Sequence, residues 1–411
     1  MKRKLIQYLL WFLAKLVLWR YQPLVIGITG SVGKTSTKEA IYAVLKNKFR
    51  AERNVFNLNT EIGMPLTIIQ GVDAKRNIFL WFYNFFHALK LFVFKDKNYP
   101  EVLILEMSED APGMIKYLSG LAKPKIGVVT VIGNPPVHLQ YYKNTEELIN
   151  EIGYLPASLP PAGAAILNTE DENTYSLKEK TSARLIFYGF NEKANLKITD
   201  YKLVKADDLE NIGCSFRLEY EGSFVPIKLK EIFGKPQVYA LAAAAAVGVF
   251  LEMNLIEIAK AMEEYKITKG RTTFIKGPNN SWLLDDSYNA SPNSVRAALE
   301  LMSDIPAKRK VAVLGEMKEL GIMTDIAHRE IGEEAAKIID VFAGVGEKMK
   351  LAKEAIDKNH PQIKTFWFED SEKAKEALKE IICEKDLVLI KGSRAMEMEK
   401  ITSYLAHKDG F

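Results

Sequence analysis

Cysteine is almost missing from this chain: 411 residues carry two, Cys214 and Cys383, far apart and in no C-x-x-C pair. With only five histidines and no His/Cys cluster, the composition speaks against a structural zinc site or a disulfide framework and fits a reducing compartment. An excess of one charge is lacking too. The net charge is +4, and the basic residues form neither a stripe nor a run interleaved with aromatics, so nucleic acid is not an expected partner. At the start of the chain an apolar run of spanning length is lacking as well. The run there, Leu5 to Trp19, is shorter than the roughly 20 residues of a membrane span, and no small-residue cleavage site follows it, which argues against a secretory leader. No internal repeat or low-complexity tract appears. What remains is apolar content ample for about two or three folded domains.

The most informative stretch is Gly27-Ile28-Thr29-Gly30-Ser31-Val32-Gly33-Lys34-Thr35-Ser36. An apolar run, Leu24 to Ile28, leads into it, and a helical run from about Ser36 to Phe49 leaves it. Strand, glycine turn, Lys-Thr and helix in that order make a phosphate cradle. Gly30 and Gly33 are expected at positive φ, turning the N–H groups of Ser31 and its neighbours onto phosphate oxygens. Lys34 adds a point charge, and Thr35 offers a hydroxyl to Mg²⁺. The strict spacing G-x-x-x-x-G-K-[ST] is not met, because Ile28 stands where glycine is required and Gly27 lies one place earlier.

Two stretches read as surface-seeking helices. In the first, Lys4, Tyr8, Trp11, Lys15 and Trp19 recur at helical spacing and leave Leu, Ile, Val and Phe for the other faces. The expectation is an interfacial anchor, with Lys2, Arg3 and Lys4 toward anionic lipid on the cytoplasmic face of the membrane; the alternative is a helix packed on the following domain. In the second, Asn77 to Phe94, the few polar residues Asn84, His87 and Lys90 cluster near one helical face. A second membrane-surface helix and a buried core helix are both open readings.

Further along, Glu101 to Met107 reads as a strand carrying Glu106 at its end, and Lys125 to Ile132 as a strand running toward His138. In open α/β sheets ligands bind at the carboxyl ends of strands, so both residues are candidate metal ligands beside the phosphate turn. Short alternating segments from Leu196 to Lys230 read as antiparallel hairpins, followed by an Ala-rich helix, Val238 to Leu251. From Ser281 onward, strands alternate with helical runs, which implies a second, mostly parallel α/β domain. The expected division is an N-terminal helix (1–20), a nucleotide-binding α/β domain (21–266) and a Rossmann-like α/β domain (267–411).

The segments TGSVGKTS, NxNTEIGMPLT, LEMSEDAPG, PVHLQ, KGR, LLDDSYNASPNSVRAAL, VLGEMKELG with a following His328, and KGSRAMEMEK occur in the order seen in Mur ligases. The chain resembles that family over about residues 22 to 404, with a P-loop central domain followed by the C-terminal domain, and most resembles its D-alanyl-D-alanine-adding branch. The resemblance implies ATP- and Mg²⁺-dependent joining of a carboxylate to an amine through an acyl phosphate in peptidoglycan precursor synthesis. The implied reactants are a muramoyl-peptide-like carboxylate and a dipeptide or amino acid. It implies roles for Lys34, Thr35 and Ser36 on ATP, for Thr35, Glu106 and His138 on Mg²⁺, and for Asn59 in the loop facing the reactants. Arg271, Asp286 and Asn289 resemble C-terminal-domain contacts to the nucleotide, while Lys391, Ser393 and Arg394 lie where the amine component is recognised.

Three departures accompany the resemblance. Only about 20 apolar residues precede the phosphate turn, where the family carries a uridine-nucleotide-binding domain. Gly234-Lys235-Pro236-Gln237-Val238-Tyr239-Ala240 replaces the family's Asn-bearing adenine segment. Ile152 stands at the position of the family's carbamylated lysine, so an altered second-metal site is expected, with Glu151 or water supplying the missing ligand. The competing reading is a membrane-docked nucleotide-binding scaffold without ligase activity.

Overall fold

The computed structural model describes residues 2–55, 58–204 and 212–406. Asn57, which opens the NLNTEIG segment, and the side chains of Lys2 and Arg3 lie outside the described residues.

Nine strands form the first sheet: β1 (Leu24–Thr29), β2 (Ala51–Arg53), β3 (Val102–Glu106), β4 (Ile126–Val129), β5 (Ala164–Asn168), β6 (Arg184–Gly189), β7 (Leu196–Val204), β8 (Gly213–Tyr220) and β9 (Ser223–Lys230). Their spatial order is β2-β3-β1-β4-β5-β6-β7-β8-β9. All pairs from β2 to β7 are parallel, and β8 and β9 add an antiparallel extension. A parallel sheet is covered on both faces, and the side chains alternate accordingly. Ile26, Ile28, Val102 and Ile104 enter one core with the helices Lys34–Leu45 and Lys235–Phe250. Val25, Leu103 and Leu105 enter the other, with the first helix (Lys2–Tyr21), the aromatic helix (Ile78–Val93) and the short helices at Gly63–Ile68 and Met114–Ala122. The Ala242–Ala246 run is fully buried. Its small side chains let the Lys235–Phe250 helix approach the Lys34–Leu45 helix closely and hold the two together against the sheet.

The second sheet has six strands: β10 (Thr273–Lys276), β11 (Trp282–Asp286), β12 (Arg309–Gly315), β13 (Val341–Val345), β14 (Lys364–Phe368) and β15 (Asp386–Lys391), ordered β10-β11-β15-β12-β13-β14. Only β10 is antiparallel to its neighbour. Leu284, Ala312, Leu314 and Leu389 face one core while Leu283, Val311, Val313 and Ile390 face the other. The α/β class read from the sequence is what the chain adopts.

Both surface-seeking stretches are helical, and their orientation revises the expectation. The first helix buries Leu10, Leu13, Ala14 and Val17 against the domain, yet leaves Leu5, Tyr8, Leu9, Phe12 and Trp19 exposed. In the aromatic helix the polar residues do not mark the outer face. Asn84 is fully buried, receiving the Val72 N–H at 2.9 Å and donating to the Val72 carbonyl at 2.8 Å. A buried amide must find partners, and the 72 turn supplies both. Trp81, Ala88 and Leu91 share the inward stripe, so most of the phenyl rings point to solvent. Neither helix meets the length and apolarity of a membrane span among the described residues.

Candidate functional site

β1 lies between β3 and β4, and the register pairs Ile28 with Glu106. The phosphate turn therefore emerges beside the end of β3. Gly30 and Gly33 adopt φ of 122° and 92°, values that a side chain would oppose. Gly33 caps the helix that follows, so the helix begins at Lys34 and not near Ser36 as the sequence suggested. The consequence is chemical: Lys34, Thr35 and Ser36 lie in the first helical turn, where unpaired N–H groups and the helix dipole favour an anion.

A cleft of about 340 Å³ runs from this turn to the second sheet. Two more helices open onto it by their N-termini. Gly234, Pro236 and Gln237 line it at the start of the Lys235–Phe250 helix, and Ala290, Ser291 and Ser294 at the start of the Pro292–Asp304 helix. Among the residues singled out from sequence, Ser31, Gly33, Lys34, Thr35, Ser36, Asn59, Glu106, His138, Arg271, Asp286, Asn289, Lys391 and Arg394 all line this one cleft. Gly30 and Ser393 do not. Gly30 turns its carbonyl to Lys34, and the Ser393 hydroxyl receives the Lys318 N–H at 2.7 Å, which fixes the loop after β12.

Lys34 Nζ donates to the Gly30 carbonyl at 2.6 Å and to Glu109 Oε1 at 2.7 Å. Burial alone would lower its pKa, but the charge of Glu109 and their hydrogen bond outweigh it and hold the ammonium above its ordinary value. Glu106 gathers three groups. Thr35 Oγ1 donates at 3.4 Å and Asn59 Nδ2 at 3.3 Å to Oε1, while the buried Lys38 ammonium lies 3.4 Å from Oε2. Among the described residues that second oxygen, though buried, has no hydrogen bond.

His138 is half enclosed between the two sheets. Its Nδ1 is 2.7 Å from Glu319, and its Nε2 lies 3.5 Å from Asp110 and 3.8 Å from Glu109. Burial disfavours the imidazolium, but the Glu319 carboxylate beside Nδ1 and the Glu109 charge prevail and raise the pKa. Arg271 crosses between the sheets as well, donating to Thr35 Oγ1 at 3.3 Å and stacking its guanidinium 4.3 Å from the Tyr288 ring centre. Of the neighbouring aspartates, strand alternation turns Asp285 inward to Thr402, where burial raises its pKa. Asp286 faces the cleft and holds Lys391 at 2.5 Å.

Sequence reasoning missed Glu109, Lys38 and Glu319, and also the apolar wall of Ala297, Ala298 and Leu301. The acidic pair Glu109-Asp110, three residues beyond Glu106, was the one available signal. Of the two expected replacements, Glu151 or water, Glu151 is committed elsewhere. Glu151 accepts the N–H groups of Gly113 at 2.8 Å and Ile115 at 2.7 Å, capping the Met114–Ala122 helix, and Ile152 is fully buried among Val129, Leu148 and Leu167. Neither lines the cleft. The Gln237 amide, within the altered adenine segment, donates to the Arg271 carbonyl at 3.3 Å and accepts from the Tyr265 hydroxyl at 2.7 Å.

Fold and site together define a two-lobed α/β protein with a phosphate-binding loop facing a cleft between its lobes. Residues 28–248 match the Mur ligase middle domain, and residues 270–394 match the Mur ligase glutamate ligase domain. The chain belongs to the Mur ligase family. It is 30% identical over 401 residues to the UDP-N-acetylmuramoyl-tripeptide–D-alanyl-D-alanine ligase of Bacillus subtilis, a match covering 96% of this chain and 78% of that protein. Its fold is similar to MurF from Acinetobacter baumannii, with a TM-score of 0.80, 25% identity and coverage of 96% of this chain and 79% of that one. It is also similar to the MurF ligase of Thermotoga maritima in complex with ADP, with a TM-score of 0.76, 26% identity and coverage of 96% and 82%.

Proposed function

We propose that this protein is an ATP-dependent amide ligase that adds D-alanyl-D-alanine to a muramoyl tripeptide. The observation that carries the reading is the cleft itself. Three helix N-termini, Lys34, Arg271 and Lys391 converge there on the volume that two anionic reactants and a transferring phosphoryl group would fill. Phosphoryl transfer depends mainly on positioning and on charge stabilisation, and this arrangement supplies both. The division of labour follows as residues 1–20, 21–266 and 267–411, with the middle part holding the phosphates and the last part completing the cleft.

The acceptor carboxylate attacks the γ-phosphorus and ADP leaves. The amine then attacks the acyl carbonyl, losing a proton, and inorganic phosphate departs with the oxygen that the carboxylate contributed. In our reading the N–H groups of the phosphate turn hold the β- and γ-phosphates with Lys34, which first releases Glu109. Arg271 reaches the same phosphates from the other lobe. Asp286 and Asn289 take the nucleotide's polar edge, and Ala297, Ala298 and Leu301 form a wall suited to a flat base. Lys391 and Arg394 face the amine component's carboxylate, with Ser393 tying their loop to the one after β12.

The donors fit Mg²⁺: a hydroxyl at Thr35, a carboxylate at Glu106 with a buried oxygen lacking a hydrogen bond, and His138 near Asp110. Among the described residues no three His, Cys, Asp or Glu side chains converge as a complete cage, as suits an ion that keeps several waters and binds phosphate oxygens. When bound, Mg²⁺ would neutralise charge on the transferring phosphoryl group.

A cytoplasmic setting accords with ATP consumption and with the free cysteines, Cys214 buried and Cys383 exposed. The test is oxygen-18 tracing. Labelled acceptor carboxylate should deliver one label to phosphate for each amide formed, and label-free phosphate would refute the acyl-phosphate route.

A further inference from the structure

We propose that the first helix and the aromatic helix together form a docking face for an anionic lipid bilayer, on which the protein lies without crossing it. The two helices are one platform. Trp19 packs on Phe92 with ring centres 6.2 Å apart, and the Tyr21 hydroxyl donates to the Leu91 carbonyl at 2.9 Å. Each has already buried one stripe against the domain, so the residues left outside are surplus to folding. They are large: Leu5, Tyr8 and Phe12 from one helix, and Phe79, Phe82 and Phe86 from the other, with Phe79 80% and Phe86 69% exposed. More than half of the exposed large apolar side chains of the described chain fall on these two helices and the residue that follows them. An exposed apolar patch of this extent is a binding surface or a liability.

Charge selects the occupant. Neither helix contains a single Asp or Glu. Lys4, Arg20 and Lys90 are exposed on them, with Lys15 partly so, and Lys75, Arg76, Lys95 and Lys97 flank the aromatic helix, outnumbering the flanking Asp73 and Asp96. Aromatic and aliphatic rings ringed by cations match the headgroup boundary of an anionic leaflet. A second copy of the chain fits poorly, since a two-fold contact would set cationic helices against each other with no carboxylate on either helix to offset them. Asn84 maintains the arrangement: by spending its amide on Val72, it fixes the rings outward.

The face is rooted near the cleft. The first helix packs on the helices Gly63–Ile68 and Met114–Ala122. The segments leading into those two helices carry Asn59, Thr60, Ser108 and Asp110, all lining the cleft. A docked molecule would thus hold its cleft close to the lipid headgroups.

The experiment is flotation of the full chain with vesicles of equal parts phosphatidylglycerol and phosphatidylcholine, against phosphatidylcholine alone. The intact protein should float with the anionic vesicles and be released as ionic strength rises. A Phe79→Glu/Phe86→Glu variant, altered only at exposed positions, should lose about tenfold in partitioning while its Tm and circular dichroism stay unchanged. A second variant, Leu5→Glu/Phe12→Glu, tests the other helix in the same way. An intact chain that stays in the soluble fraction overturns the proposal. So does flotation indifferent to both variants, or a dimer that the same substitutions dissolve without vesicle binding. None of these readouts uses ATP, so failure here leaves the ligase assignment standing, and the reverse holds.

Discussion

Replacing Lys34 by alanine should damage more than nucleotide binding. Glu109 is fully buried, and its carboxylate meets the Lys34 ammonium at 2.7 Å, with His138 Nε2 farther off at 3.8 Å. Its second oxygen has no hydrogen bond among the described residues. Deleting the lysine strands a carboxylate in the protein interior, and breaking a buried pair from one side costs about 3–5 kcal/mol. Lys34 keeps slight solvent contact and Glu109 can take up a proton, which favours the lower end, about 3 kcal/mol. For a unit of this size that is a fall in Tm of roughly 6–12 °C. The double variant Lys34→Ala/Glu109→Gln removes the stranded charge and should recover most of the lost stability, yet it should remain without ATP turnover because the phosphate cation is still gone. Calorimetry and phosphate release on the wild type, both single variants and the double variant close the cycle. A Lys34→Ala protein as stable as wild type, or a double variant that regains turnover, would refute the reasoning.

Three further outcomes are expected. Asn84→Leu leaves the Val72 N–H and carbonyl unpaired and should cost about 2–3 kcal/mol by urea titration, loosening the aromatic helix before the rest. His328 is buried and neutral, accepting the Met317 N–H at Nε2 (3.0 Å) with Nδ1 on the Thr324 carbonyl (2.6 Å), and burial lowers its pKa. The unfolded chain therefore binds the extra proton, so this residue's contribution is intact above the ordinary histidine pKa near 6.5 and is lost as pH falls below it. His328→Gln should flatten that part of the stability profile. Ile152→Lys should not create a metal ligand; it forces an ammonium into an apolar core and should cost about 3 kcal/mol or more, read as a drop in Tm that Mg²⁺ and bicarbonate fail to restore.

Much of the site was legible because its signals are local. A strand, two glycines and Lys-Thr specify the phosphate turn within a dozen residues, and Glu106 and His138 follow from strand ends that β1 gathers around itself. The pieces that escaped are pairings between distant segments. Glu109 meets Lys34 across 75 positions, and Glu319 meets His138 only because the lobes close on each other. Neither leaves a periodic trace. The aromatic helix shows a different limit. Helical spacing placed Asn84, His87 and Lys90 on one stripe, but when every other stripe is apolar, periodicity cannot tell which turns inward. The backbone at Val72 decides it by needing an amide. Similarly, Glu151 looked free to serve a metal until the N-terminus of the Met114–Ala122 helix was found to hold both its oxygens.

The central claim is that this cleft couples ATP cleavage to amide formation. The direct measurement is mass spectrometry with parallel phosphate assay on the full chain, supplied with ATP, Mg²⁺, a UDP-N-acetylmuramoyl tripeptide and D-alanyl-D-alanine. A pentapeptide product is expected, with one ADP and one phosphate per amide and turnover that requires both reactants. ATP cleavage indifferent to the tripeptide and the dipeptide, with no pentapeptide formed, would contradict it.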